Sequence, residues 1–153
     1  MMRNQIRRMG SRAGNSAVEL ALAFSVLGLL ALGIADFGRI YYTSIELTNA
    51  ATAGAIYGSF TVSRSSDIAG MQTAAINEAA DLNLTTSDVT ALPYCQCPDG
   101  TQNDCSNIDF CGVGVKMRFY VKVTTNKTYN TMSKFPNMPN SVNITRQTVM
   151  RVQ

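Results

Sequence analysis

From Leu20 to Ala35 the chain runs for sixteen residues without a charge, behind a leader that holds four arginines. No other feature limits its fold so strongly. Counted from Ala17 the stretch is nineteen residues, and a helix of that length rises about 28 Å, just enough for the hydrocarbon core of a bilayer. Arg3, Arg7, Arg8 and Arg12 all precede it, with no acid among them. An excess of arginine on one flank keeps that flank in the cytoplasm, so everything after Ala35 is expected on the other side of the membrane. One side chain is out of place. An ionised glutamate in the apolar part of a membrane helix costs about 2.5 to 3.5 kcal/mol on insertion scales, so Glu19 needs a partner or a special position.

The rest of the composition follows from that division. Without the four leader arginines the chain holds nine basic and ten acidic residues, a net charge of −1 in place of +3. A nucleic-acid partner is therefore not expected, because a basic stripe would have to persist in the mature protein. Ala17, Ala21, Ala23, Gly28, Ala31 and Gly33 make the span rich in small residues, which let helices approach one another closely and suit a helix packed among others. A secretory signal peptide is the rival reading, with Gly33-Ile34-Ala35 as the small-x-small site before Asp36. Its apolar region would exceed the usual length, and Glu19 would have no purpose in it.

Beyond the span no proline occurs before Pro93, and apolar or small residues recur near helical spacing at Phe37, Tyr41, Ile45, Thr48, Thr52, Ile56 and Phe60. The helix is expected to continue to about Ser59, with that stripe as its packing face and Tyr41 and Tyr42 at the membrane interface. A second helix is expected from Asp67 to Leu82, capped by Ser66. The period then changes. Val115, Met117, Phe119, Val121 and Val123 alternate with polar or charged residues, which marks a half-buried strand. A turn-rich stretch from Asn126 to Asn140 leads to a second strand from Val142 to Val152, and a weaker strand is expected from Val89 to Cys95. The fold class is thus α+β: a long N-terminal helix with a membrane-embedded first half, and a second helix packed on a small antiparallel sheet.

All four cysteines, Cys95, Cys97, Cys105 and Cys111, fall in one segment. An even, clustered set on the extracytoplasmic side reads as two disulfides. A Cys95 to Cys97 bridge is disfavoured by disulfide geometry, which leaves Cys95 with Cys105 or Cys111, and Cys97 with the other. Zinc is disfavoured by the spacing and by the complete lack of histidine, since structural zinc sites favour closely paired cysteines, often with histidine. Asp99, Asn103, Asp104, Asn107 and Asp109 cluster in the same loop but do not follow the EF-hand order. No metal and no cofactor is expected.

Two sets of residues carry a resemblance to known families. Gly14 followed five residues later by Glu19 resembles the N-terminus of type IV prepilins. That resemblance implies cleavage between Gly14 and Asn15 by a prepilin peptidase, and an Asn15 amine that Glu19 of a neighbouring subunit pairs with. More specifically, Ala17-Val18-Glu19-Leu20-Ala21-Leu22, then Gly33 to Tyr42 with Asp36-Phe37-Gly38-Arg39 at its centre, then Asn49 to Gly58, resemble the TadE-like family of the tight-adherence (Flp) pilus system. Cys95-Gln96-Cys97-Pro98-Asp99-Gly100 and Arg151-Val152 resemble segments that many members carry. Leu20 stands where an aromatic is common, and Ile56 where an arginine is usual.

The resemblance implies a leader at 1–14, a transmembrane and assembly helix at 15–35, and an extracytoplasmic pilin-like domain at 36–153. The implied protein is a minor pilin or pseudopilin of the inner membrane, single-pass with a cytoplasmic N-terminus. Its implied partners are the prepilin peptidase, other pilins or pseudopilins, the inner-membrane assembly platform and the membrane itself. Catalysis is not expected. Without histidine, Ser-His-Asp and Cys-His mechanisms are unavailable, the acids single out no pair, and there is no Gly-x4-Gly-Lys phosphate loop. The alternative from another class is a single-span membrane protein whose disulfide-stabilised outer domain binds a ligand without entering a filament.

Overall fold

A computed structural model describes residues 12–106, 110–112, 114–132 and 139–153. Its first element accounts for a third of the chain: helix α1, Arg12–Ser59, runs 48 residues without interruption. The short helix α2, Val62–Ser65, and helix α3, Ile68–Glu78, follow, and α3 ends in a 3-10 turn at Ala80–Leu82. Four strands complete the molecule: β1, Val89–Gln96; β2, Gln102–Asn103; β3, Arg118–Asn130; and β4, Ser141–Arg151. They form one antiparallel sheet in the order β2-β1-β3-β4. The fold is α+β, with α1 and α3 on the same face of the sheet.

The core lies between that face and the helices. Leu47, Ala50, Ala51 and Ala55 of α1 meet Met71 and Ala75 of α3, and Val121 and Val123 of β3 close the cluster from the sheet side. Small residues set the spacing. A Cβ on Gly54 would stand 2.8 Å from the Met71 carbonyl oxygen, and one on Gly58 would run into the Met71 thioether. Gly54 is therefore required by the close approach of a backbone, while at Gly58 the neighbours are side chains. Thr125, buried completely, stays hydrogen-bonded because its hydroxyl donates to the Leu47 carbonyl at 2.9 Å, as a buried hydroxyl must.

Several expectations are corrected at this level. The stripe from Phe37 through Ile56 to Phe60 is not the packing face of α1. Phe37, Tyr41 and Phe60 are exposed, as are Ile45 and Ile56, while Thr52 reaches the sheet, where its hydroxyl lies 3.1 Å from that of Thr148. The buried face is Asp36, Thr43, Leu47, Ala50, Ala51, Gly54 and Gly58, which keeps helical spacing but carries little hydrophobicity per residue. Close packing replaced side-chain size as the signal. Helix α3 is capped by Asp67 rather than Ser66: the Asp67 carboxylate accepts from the Gly70 N–H at 2.9 Å, while Ser66 ends α2. The helix also stops at Glu78, before the 3-10 turn that Asn83 closes in the left-handed conformation.

Strand β3 is displaced too. It begins at Arg118, so Val115 and Met117 precede it, and it continues through Asn126 to Asn130, where a turn was expected. Residues 126–130 lack apolar alternation and read as loop, yet they pair with Ser141 to Thr145 of β4. The register supplies what hydrophobicity did not. Of the expected turn, Pro136 lies outside the described residues. Strands β1 and β4 lie within one residue of the expected bounds.

Candidate membrane and assembly helix

Among the described residues nothing buries the apolar window of α1. Leu20, Leu22, Phe24, Leu29 and Leu30 are all more than half exposed, and at 3.6 residues per turn they lie on opposite sides of the helix. A helix apolar all round is a buried core or a membrane span, and here the apolar window is wholly unburied. By length and composition this one helix among the described residues can cross a membrane. Its one hydroxyl past Glu19, Ser25, donates back to the Ala21 or Leu22 carbonyl at 2.9 Å, which satisfies it where water is absent. A Cβ on Gly28, Gly33 or Gly38 would meet nothing within 4 Å. The small residues of this half are therefore not explained by packing within the chain.

Gly14 and Asn15 lie in the first turn and a half of α1. Glu19 follows Asn15 by one helical turn, about 6 Å along the axis, and is exposed. Among the described residues it forms no ion pair. Residues 1–11, with Arg3, Arg7 and Arg8, lie outside the described residues.

Where the helix leaves its apolar half it is clamped to the sheet. Asp36 is 8% exposed, and its carboxylate accepts from the Tyr129 hydroxyl at 3.1 Å and from the Met132 backbone N–H at 2.9 Å. One turn on, the Arg39 guanidinium lies 6.0 Å from the Tyr129 ring centroid, within range of a cation–π contact. Burial, then the Asp36 carboxylate, push the Tyr129 hydroxyl pKa up. The Asp36-Phe37-Gly38-Arg39 segment thus divides by helical position: Asp36 and Arg39 face the sheet, and Phe37 projects outward, 72% exposed. Sequence reasoning singled out this segment but missed Tyr129 and Met132, because both fall in the stretch read as turn.

A cleft of about 450 Å³ opens beside this clamp, lined by Arg39, Tyr42, Thr43, Asp81, Lys127 and Tyr129 among others. Across it the Tyr42 hydroxyl donates to Asp81 at 2.7 Å, which raises the Tyr42 pKa. Lys127 donates to the Asn83 carbonyl at 3.1 Å and lies 3.9 Å from Asp88. These pairings tie the end of α3 to α1 and β3.

At the opposite end of the sheet the cysteines pair as Cys95 with Cys105 and Cys97 with Cys111. Cys95 and Cys97 are themselves buried, so the bridges fasten a polar loop to the end of β1. The clustered acids are spent on local turns: Asp99 accepts from the Thr101 N–H, and Asp104 from the Ser106 N–H and hydroxyl. These bonds hold both carboxyls below the usual carboxylate range. Asn107 and Asp109 lie outside the described residues. Among the described residues no three His, Cys, Asp or Glu side chains are gathered to hold a metal ion.

Residues 14–55 match the family model described as TadE-like protein. The match falls within α1 and takes in the apolar half, the Asp36 to Arg39 clamp and the close-packed Asn49 to Ala55 turn. It does not extend to the disulfide loop or to β4. No curated protein and no solved structure matches the chain.

Proposed function

We propose that this protein is a membrane-anchored minor pilin or pseudopilin of a Tad/Flp-type pilus, cut after Gly14 and held to neighbouring subunits through α1. The observation that carries the reading is the state of that helix. Its TadE-like first half is apolar on all sides and uncovered, and the uncovered surface continues past the span as Phe37, Tyr41, Ile45 and Ile56. A lipid anchor accounts for the first part. Lipid does not account for an apolar stripe that extends some 30 Å beyond Ala35 at 1.5 Å per residue, and a neighbouring pilin helix does.

In this reading Glu19 pairs with the Asn15 amine of an adjacent subunit. The pair neutralises a charge that is costly in the apolar layer and sets the axial register between helices. The Arg-rich leader keeps the N-terminus in the cytoplasm until the peptidase removes it, and the module from Asp36 onward lies outside. The reading needs no chemistry from the chain itself: it is a substrate of the peptidase and a component of the assembly.

Intact mass of the protein recovered from its native membrane is the direct test. A start at Asn15 is expected, and Gly14→Leu should leave the full-length chain. Recovery of the uncut chain from cells carrying an active prepilin peptidase would favour a plain single-span protein, and a start at Asp36 a secreted one. Glu19→Ala should be inserted and cut normally yet assemble poorly; wild-type assembly by that variant would end the proposed pairing.

A further inference from the structure

The sheet has a second face, and no helix covers it among the described residues. Alternate residues of β1, β3 and β4 point to it, and the register sets them in rows: Tyr94, Tyr120 and Arg151 in one, Leu92, Lys122 and Val149 in the next. Arg118 lies two residues from Tyr120 on the same strand, beside Gln96. Three cations therefore surround one tyrosine pair, with neighbours along β3 about 6.6 Å apart. None of the residues these strands direct to this face is an acid.

These cations differ from those on the helix side of the molecule. There Lys127 faces Asp88, Arg146 donates to the Ser44 hydroxyl at 2.9 Å, and Arg39 and Arg64 lie against aromatic rings. Among the described residues Arg118, Lys122 and Arg151 form no ion pair. Like charges left together without acids raise each other's energy, which makes the face attractive to a polyanion.

The tyrosines decide which polyanion. Their rings stack on each other, with centroids 5.5 Å apart and planes 15° from parallel. Each has spent a ring face on its partner, so the pair offers hydroxyls and edges rather than an open platform for nucleobases, which single-strand binders use. Around them Thr90, Thr124, Asn126, Thr145 and Gln147 present hydroxyls and amides. We propose that this open sheet face binds an acidic polysaccharide, its carboxylates or phosphates on Arg118, Lys122 and Arg151 and its sugar hydroxyls on Tyr94, Tyr120 and the neighbouring threonines. The site depends on the sheet alone, so it stands whether or not the chain is cut at Gly14 or enters a filament; its cellular setting rests on the extracytoplasmic topology proposed above.

The test uses the full chain in nonionic detergent, with sodium polygalacturonate as probe and dextran and poly(dT) as comparisons. Polygalacturonate should bind and dextran should not. Affinity should fall about twentyfold between about 50 and 200 mM salt, as expected when roughly three cations displace counterions from a linear polyanion. Arg118→Gln/Lys122→Gln/Arg151→Gln should abolish binding, and Tyr120→Phe should weaken it about fivefold, the value of one neutral hydrogen bond. Lys127→Gln/Arg146→Gln, on the helix side, should bind as the parent does. An equal loss in that helix-side variant would reduce the effect to net charge, and tighter binding of poly(dT) would reassign the face to nucleic acid. Retention of neither polymer would also overturn the proposal. If the triple variant loses the parent's thermal transition, Arg151→Gln alone carries the test, with a severalfold loss expected and an unchanged affinity decisive against it.

Discussion

The two halves of α1 are built from similar residues and do opposite things. Both are rich in alanine and glycine. In the distal half, Gly54 and Gly58 are small because Met71 leaves no room for a side chain; in the first half a Cβ on Gly28 or Gly33 would meet empty space. Leu47 is completely buried and Leu27 is 59% exposed. The same helical propensity and the same residue types therefore serve an intramolecular core at one end and an unfilled surface at the other. A small residue in a helix indicates close approach only when the approaching partner is known.

The comparison is most open to attack through paired substitutions. Leu47→Ala should have the largest effect, costing about 3 kcal/mol of domain stability through lost burial and the cavity left behind, whereas Leu27→Ala should leave the unfolding of the outer module unchanged. Denaturant unfolding followed by tyrosine absorbance in detergent reads both, and equal losses would erase the distinction. Gly54→Leu should cost about 2 kcal/mol, because the backbone carbonyl of Met71 cannot yield as a side chain would. Gly28→Leu should be silent in the same assay and, on the proposed function, show its effect in assembly alone.

The boundary between the halves is the next place to press. Asp36→Ala leaves the Tyr129 hydroxyl and the Met132 N–H without their acceptor and should destabilise the module by about 1 to 2 kcal/mol. Hydrogen exchange at the end of β3 should rise with it; unchanged protection there would show that the clamp is incidental. The smallest effect is that of acid. The Gly70 N–H, then the Tyr57 hydroxyl, hold the Asp67 carboxyl below its usual value. A carboxyl depressed in the folded state stabilises at pH above its unfolded value of about 3.9, and that contribution is lost as pH falls through the folded value. The thermal midpoint of the module should therefore drop below about pH 4, and less steeply in Asp67→Asn.

How far these features could be read in advance depended on what kind of signal each residue carries. The apolar run needed no partner to be recognised, since its length can be compared directly with the thickness of a bilayer core. The alternation at Phe119, Val121 and Val123 located a strand for the same reason. Residues 126–130 gave no such pattern, and their strand exists because β4 pairs with them. The packing face of α1 was misread because hydrophobicity was weighed where contact distance governs, and so the outward stripe was taken for the inward one. Tyr129 and Met132 were missed at the clamp because their partner, Asp36, lies more than ninety residues away along the chain. The two disulfides illustrate the division within one motif: spacing excluded a bridge between Cys95 and Cys97, and could not choose between the two arrangements left.

By itself the sequence determined a charge-flanked span, a long helix leading from it, a small disulfide-held α+β module and the Gly14, Asn15 and Glu19 constellation, because each is a local matter of length, period, charge or spacing. Only the tertiary structure decided which side of α1 turns inward, that Asp36 and Arg39 fasten the helix to the end of β3, which cysteines pair, and that Arg118, Lys122 and Arg151 share a face with two stacked tyrosines. Those are relations between segments far apart in the chain, set by strand register and by how closely two backbones approach, and no local pattern encodes them.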